Sequence, residues 1–350
     1  MHSYDLYDRV LGSLMTAGIG DALGAPAEGF SQREIEGEFG RLEGFVDASA
    51  NEIFKAHHAA EITGNSSQLV ETVKAAVDAG GKLTVTDAAG ALVRWSDNWP
   101  EHYSYCADET TKEAAAALKA GADPYTTGKT GKLWGRGTSN GAAVRAAAAG
   151  LLHPGDPDSA AQSAAVIAAP SHGTQHAYSG ACAVACAVSA ALAEDADVWK
   201  VLRAALDGAR RGRQTGLREG RAALGPDTLE RMADALTQAL LADTVPQLEH
   251  ALNEHLGDET FSAQGAAAVV LALFAAAGGD PVKAVNSSVN FGGDTSALGF
   301  LSGMLAGALG GCSALPQGLC SEFRKRNPRV SYEKLAQDLV CISRTAAPAT

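Results

Sequence analysis

The chain has 350 residues, of which 46% are hydrophobic and 19% charged, with a formal net charge of −12. This composition describes a globular chain with ample core and excludes a disordered one. The acidic balance excludes a general nucleic-acid binder, which needs a basic face, but not a small anionic ligand held in a local pocket.

The first residues, MHSYDLYDRV, place charges where a signal peptide needs its apolar segment, so a cytoplasmic protein is expected. Tyr4–Gly18 carries Tyr7, Val10, Leu11 and Leu14 at spacings of three and four, the mark of an amphipathic helix. It runs into Gly18–Gly29 (GIGDALGAPAEG), which reads as a tight loop or a glycine-interrupted helix end holding Asp21 and Glu28. Residues 30–60 read as polar and irregular; the adjacent His57 and His58 do not share a helix face and form no HExxH metal motif. A polar turn, Glu61–Ser67, then hands over to a helix through Gln68–Ala79, with Asn65 or Ser66 as its cap.

Leu83–Trp95 and Glu113–Ala120 read as helices joined by a loop bearing Trp99, Pro100, Tyr103 and Tyr105. The glycine-rich stretch Gly128–Gly141 precedes a helix, Ala142–Leu152, on which Arg145 stands among alanines. A helix N-terminus after such a loop suits an anion, because free backbone N–H groups and the helix dipole favour negative charge. It is not a P-loop, since no Gly-Lys-Ser/Thr ending is present. Ala160–Ala168 is a short helix, and His172 falls in the turn before the next apolar one.

Three apolar runs, Gly180–Ala193, Ala263–Gly278 and Ala297–Gly310, fall short of the roughly 18–20 residues a membrane span requires and read as buried helices. Cys182 and Cys186, four apart in the first run, are expected in a helix core, and the six cysteines form no Cys-x-x-Cys pair. Helices are expected around Val198–Arg210, Thr228–Leu241, Val245–Leu256, Ala263–Ala277 and Tyr332–Ile342, with the arginine-rich span Arg210–Arg221 forming a solvated face. Almost nothing alternates with period two, so the fold class is all-α. Near the end stands Asn290-Phe291-Gly292-Gly293-Asp294-Thr295-Ser296. Two glycines there allow a tight turn, and Asp294 sits where a helix N-cap belongs.

Four segments in order resemble the ADP-ribosylglycohydrolase family, of the dinitrogenase-reductase-activating glycohydrolase type. They are GIGDALGAPAEG, Asn140 with Gly141–Arg145, Ser171-His172, and Gly292–Gly311. The resemblance implies one compact domain over 1–350, a multi-helix all-α bundle, and a cleft in which two magnesium ions orient ribose and water. Hard cations take oxygen ligands, which accounts for the acids and hydroxyls of such a cleft. The family's Thr-Asp-Asp-Thr turn falls on Thr63-Gly64-Asn65-Ser66, and its Asp-x-Asp-Thr turn on Asp294-Thr295-Ser296-Ala297. Its third acid falls on Glu28, with Asp21 retained upstream. Thr63, Asp294 and Ser296 are therefore what remains of the metal set, and three aspartates are replaced. The family's ADP-ribose-binding positions fall on Ser139, Asn140, Gly141, His172 and Gly293.

Two functions follow as expectations. One is a divergent hydrolase that cleaves an N-ribosyl bond in an ADP-ribose-like or nucleoside-like compound, with reduced or no magnesium dependence. It would use Glu28 and Asp294, with Asp21 beside them, as the catalytic acids; an ADP-ribosylated protein is a further substrate class. The other is an inactive relative that binds ADP-ribose or NAD as a sensor or accessory protein. No nucleic acid and no membrane partner is expected.

Overall fold

A chain with 39 glycines and long alanine runs has few large side chains to hold its helices apart, so backbone meets backbone. The structure, a computed structural model, describes residues 5–131 and 135–346, and among these it has eighteen α-helices and no strand. Residues 1–4 and 132–134 lie outside the described residues, and with them the start of the MHSYDLYDRV reading and part of the Gly128–Gly141 stretch.

The first helix, Leu6–Gly24, lies antiparallel against Thr295–Gly310. Their contact face is made of glycines. A methyl group at Gly20 would strike the Gly299 carbonyl, one at Gly303 the Thr16 carbonyl, one at Gly307 the Gly12 carbonyl, and one at Gly24 the Thr295 carbonyl. The contacts repeat every four residues along both helices, which is one face of each. Gln175–Ala191 is gripped similarly. Gly208, Gly212 and Gly216 of the Val198–Glu219 helix close on the backbone of Cys182, Tyr178 and Gln175, and Gly150 closes on the Ala185 carbonyl.

The all-α expectation holds, and the three apolar runs are buried helices, Gln175–Ala191, Ala263–Ala276 and Thr295–Gly310, with Cys182 and Cys186 in the core. Several local readings change. Of the two readings of Gly18–Gly29, the glycine-interrupted helix end is the one found: the helix continues to Gly24 and passes into one 3-10 turn, Ala25–Ala27. Glycine in a helix costs about 1 kcal/mol relative to alanine, and here the close backbone contact offsets that cost. Residues 30–60 contain a helix, Gln32–Phe39, started by a Ser31–Glu34 capping box; only Ile35 of it is buried, so it leaves no apolar period to read. The tyrosine-bearing loop is a short helix, Pro100–Cys106. The cap of the Gly64–Asp78 helix is Thr63, not Asn65 or Ser66. Val198–Glu219 runs nine residues past the expected Arg210 end because Gly212 and Gly216 extend its buried face. Pro281–Val289 and Gln317–Arg326 are helices that the sequence reading passed over.

Among the described residues no helix is long and apolar enough to cross a membrane. The backbone contact gives a paired prediction. Gly303→Ala is expected to lower stability by about 1–3 kcal/mol through overpacking. Gly318→Ala, at an exposed helical position with nothing within 4 Å, should raise it by about 0.5–1 kcal/mol. Urea unfolding of both variants checks the pair, and equal effects would remove the backbone-contact account.

Candidate functional site

The glycine-packed helix pair brings the C-terminal end of Leu6–Gly24 to the N-terminal end of Thr295–Gly310, and the acids at these ends meet. Gly292 and Gly293 have φ of +100° and +72°, a left-handed backbone that favours glycine. Gly293 exchanges two backbone hydrogen bonds with the Gly29–Phe30 segment: its N–H donates to the Phe30 carbonyl and its carbonyl accepts from Gly29 N–H, both at 2.8 Å. This small clasp sets Glu28 beside Asp294.

Asp294 caps the Thr295–Gly310 helix, its Oδ1 accepting from Ala297 N–H at 3.2 Å. Its Oδ2 accepts from Asn140 Nδ2 at 2.7 Å. Asn140 is itself fixed by donating to the Thr260 carbonyl at 2.9 Å. Glu28 Oε2 accepts from Ser296 N–H at 2.9 Å, on the same helix end. Burial, then the neighbouring Asp294 charge, pushes the Glu28 carboxyl well above its ordinary value. Burial also raises Asp294, but hydrogen bonds from Asn140 and Glu28 and from the Ala297 N–H pull it back. Both carboxyls are pushed up, Glu28 the further, so of the two it is Glu28 that more readily keeps a proton.

Asp21 is fully buried, and its oxygens accept four hydrogen bonds: from Thr63 N–H at 2.8 Å, Thr63 Oγ1 at 2.6 Å, Asn65 Nδ2 at 3.1 Å and Ser66 N–H at 3.1 Å. It ties the first helix to the positive end of Gly64–Asp78 and does not line the cleft. Thr63, Ser139, Asn140, Gly141, Asp294, Ser296 and Glu28 do line it, around a volume of about 290 Å³. Gly293 lies behind the lining in the clasp, and His172 behind Ser139 with no exposure to solvent.

The His172 imidazole sits in a chain of donors whose direction is fixed. Arg145 Nη2 donates to Nδ1 at 3.0 Å, so Nδ1 must be the lone pair and Nε2 carries the proton, which goes to Ser139 Oγ at 2.6 Å. Ser139 then donates to Asp108 Oδ2 at 3.0 Å. Burial and the Arg145 charge lower His172 to about 3, so it cannot take a proton from Ser139. This is the reverse of a serine-hydrolase triad, where a carboxylate stands at Nδ1. Cys106 also lines the cleft, but burial and then the nearby acids push its thiol well up, leaving no thiolate nucleophile. The carboxyl groups are what remains for chemistry.

Asp108, Arg145 as a partner, Asn65 and the aromatic rings Phe54, Tyr105 and Phe261 were not singled out as site residues by the sequence. Asp108 had a local signal. It precedes a helix and caps it, accepting from Thr111 N–H at 2.8 Å. Arg145 had another, since a charge on an all-alanine face must be answered; it donates to Gln68 Oε1 and Ser171 Oγ, each at 2.6 Å.

The donor set does not suit the magnesium ions that the family resemblance implies. Asn65 Nδ2 donates to Asp21 Oδ1 at 3.1 Å, Thr63 Oγ1 at 3.4 Å and Ser296 Oγ at 3.1 Å. A carboxylate oxygen accepts only, so the amide must present its N–H₂ there. A hydrogen-bond donor thus stands among the oxygens a hard cation would need to gather.

Fold and site together define an all-α protein with a carboxyl-lined cleft at the meeting of several helix N-termini. A profile of the ADP-ribosylglycohydrolase family matches residues 2–348, and the chain belongs to that family. It is 26% identical over 319 residues to the Escherichia coli (strain K12) protein described as "Uncharacterized protein YegU", covering 90% of this chain and 92% of that one. A solved structure titled "ADP-ribosylglycohydrolase-related protein complex" shares the fold, with a TM-score of 0.69 and 23% identity over 97% of this chain and 99% of the other. Family membership supports a glycohydrolase-type function.

The buried histidine yields a pH prediction. In the folded chain His172 is held near 3, below the roughly 6.5 of an unfolded histidine. The unfolded state therefore binds more protons between those values, and stability falls as pH drops from about 6.5. His172→Gln keeps a donor for Ser139 and an acceptor for Arg145 but does not titrate. Its unfolding free energy should fall less steeply between pH 6 and 4, by up to about 1.4 kcal/mol per unit. Parallel slopes in the two proteins would contradict the assigned burial of a neutral imidazole.

Proposed function

We propose that this protein is a hydrolase that cleaves an N-ribosyl bond of an ADP-ribose-like or nucleoside-like compound without magnesium. The observation that carries the reading is the meeting of two carboxyls at one helix mouth, Glu28 on the Ser296 N–H and Asp294 on the Ala297 N–H, with Glu28 pushed up further than Asp294. Two acids whose environments separate their protonation states supply an acid and a base together. N-ribosyl cleavage passes through an oxocarbenium-like state, which the Asp294 charge stabilises before the carboxylate takes the proton of the attacking water. Glu28 protonates a leaving nitrogen that needs it. Asn140 and the Ala297 N–H hold the Asp294 carboxylate in place, and the Asn65 amide bridges the oxygens of Asp21, Thr63 and Ser296 where the family resemblance puts a cation.

Asp294→Asn is expected to lower kcat/KM for any cleaved riboside by about 100-fold or more, and Glu28→Gln to do so for one whose leaving nitrogen must be protonated, with little change in melting temperature. EDTA should leave the rate of the unaltered protein unchanged. Full activity in both variants would refute the assignment, and activity lost to EDTA and restored by magnesium would refute the metal-free chemistry. Binding of ADP-ribose or NAD with no turnover of any riboside would instead identify the inactive, sensing relative.

A further inference from the structure

Charge narrows the substrate class of this cleft. Three carboxyl groups reach it, Glu28, Asp108 and Asp294, and neither Lys nor Arg is among its described lining residues. Arg145 lies buried behind the wall, its donors held by Gln68, Ser171 and His172. The polar side chains that could hold a phosphate are already answered by acids: Ser139 donates to Asp108 and Asn140 to Asp294. The N-terminus of Gly141–Leu152 has no side-chain cap, and the Asp108 carboxylate stands close beside it; a methyl at Gly141 would sit 3.4 Å from Asp108 Oδ2. A diphosphate entering here would meet acids rather than free donors.

Three aromatic residues, Phe54, Tyr105 and Phe261, line the cleft beside these acids. Phe54 and Tyr105 pack edge to face with ring centroids 5.9 Å apart. Phe261 is half exposed at the lip, next to the Thr260 carbonyl that fixes Asn140. Ring faces together with carboxylates recognise flat organic cations. We propose, resting on the N-ribosyl reading above, that the substrate is a riboside whose leaving group is a cationic heteroaromatic ring and which carries no phosphate.

The chemistry balances without a further reactant. The bond between the ribose anomeric carbon and the ring nitrogen breaks, and its electron pair neutralises the ring cation. Water adds to the ribosyl cation, and its proton passes to the Asp294 carboxylate and then to solvent. The products are ribose, a neutral heteroaromatic base and one proton. The positive charge moves from ring to ribose within reach of the same carboxylates.

Calorimetry on the intact protein tests this with three probes: nicotinamide riboside, its uncharged dihydropyridine form, and the 5′-phosphate of the cation. The cation is expected to bind at least about tenfold tighter than either other probe, a gap of roughly 1.4 kcal/mol. Phe261→Ala, at a half-exposed position, should weaken the cation about tenfold while keeping the melting temperature. Equal affinity for cation and neutral form, tighter binding of the phosphate or of ADP-ribose, or no binding of any probe overturns the proposal. If the cation is preferred but never hydrolysed, the charge selection stands and the hydrolase reading fails.

Discussion

Everything at the site depends on two helices touching through their backbones. Gly12, Gly20 and Gly24 of the first helix and Gly299, Gly303 and Gly307 of the late one leave no room for a Cβ at their contact. Helices so close cannot slide or rotate without collision, so the relative height of their ends is fixed. That height decides which residues meet: Asp21 and Glu28 leave the first helix where Asp294 and Ser296 open the other. The chain separation between them is more than 260 residues, yet the geometry is set by one methyl-sized constraint repeated every fourth residue.

A helix N-terminus carries free N–H groups and a partial positive charge, and this fold gathers several in one place. Each is met by an acid. Asp21 answers Gly64–Asp78, Glu28 and Asp294 answer Thr295–Gly310, and Asp108 stands close beside Gly141–Leu152 while capping the helix Glu109–Lys119. Arg145 is the buried countercharge: its charge acts on Asp108 through space, and a hydrogen-bonded chain through His172 and Ser139 joins the two. The intervening groups are neutral, so their donor order transmits orientation and no proton. Removing one end of such a chain leaves a buried charge unanswered, a cost of several kcal/mol.

Much of this was legible in the residues. The all-α class followed from the period, and Glu28, Asp294, Ser139 and Asn140 do come to one cleft. What escaped has physical causes. Glycines at 20 and 24 allow a loop as readily as a helix end when propensity alone is weighed, and only a partner helix far along the chain turns them into a packing face. Asp21 reads as a free acid beside Glu28, but its four hydrogen bonds come from residues 63–66. Asp108 with Tyr105, Phe54 and Phe261 lie on three unrelated stretches, and nothing local announces that they share a wall.

Burial sets the state of the acids first, and the neutral side chains at 65 and 296 add no charge to oppose it. A divalent cation would hold several carboxylates ionised by its charge alone. An amide holds them only by N–H donation, which satisfies oxygen atoms without offsetting a full charge. With Asn65 in that position and Ser296 contributing a neutral hydroxyl and an N–H, two carboxyls pressed together have a cheaper way to coexist, which is for one to keep its proton. Glu28 is the one pushed up further, by burial first and then by the Asp294 charge, while the Ser296 N–H pulls the other way. Where the family resemblance puts acids at 65 and 296 this chain has an amide and a hydroxyl, and under the proposed chemistry that neutral pair goes with a protonated Glu28 beside a charged Asp294.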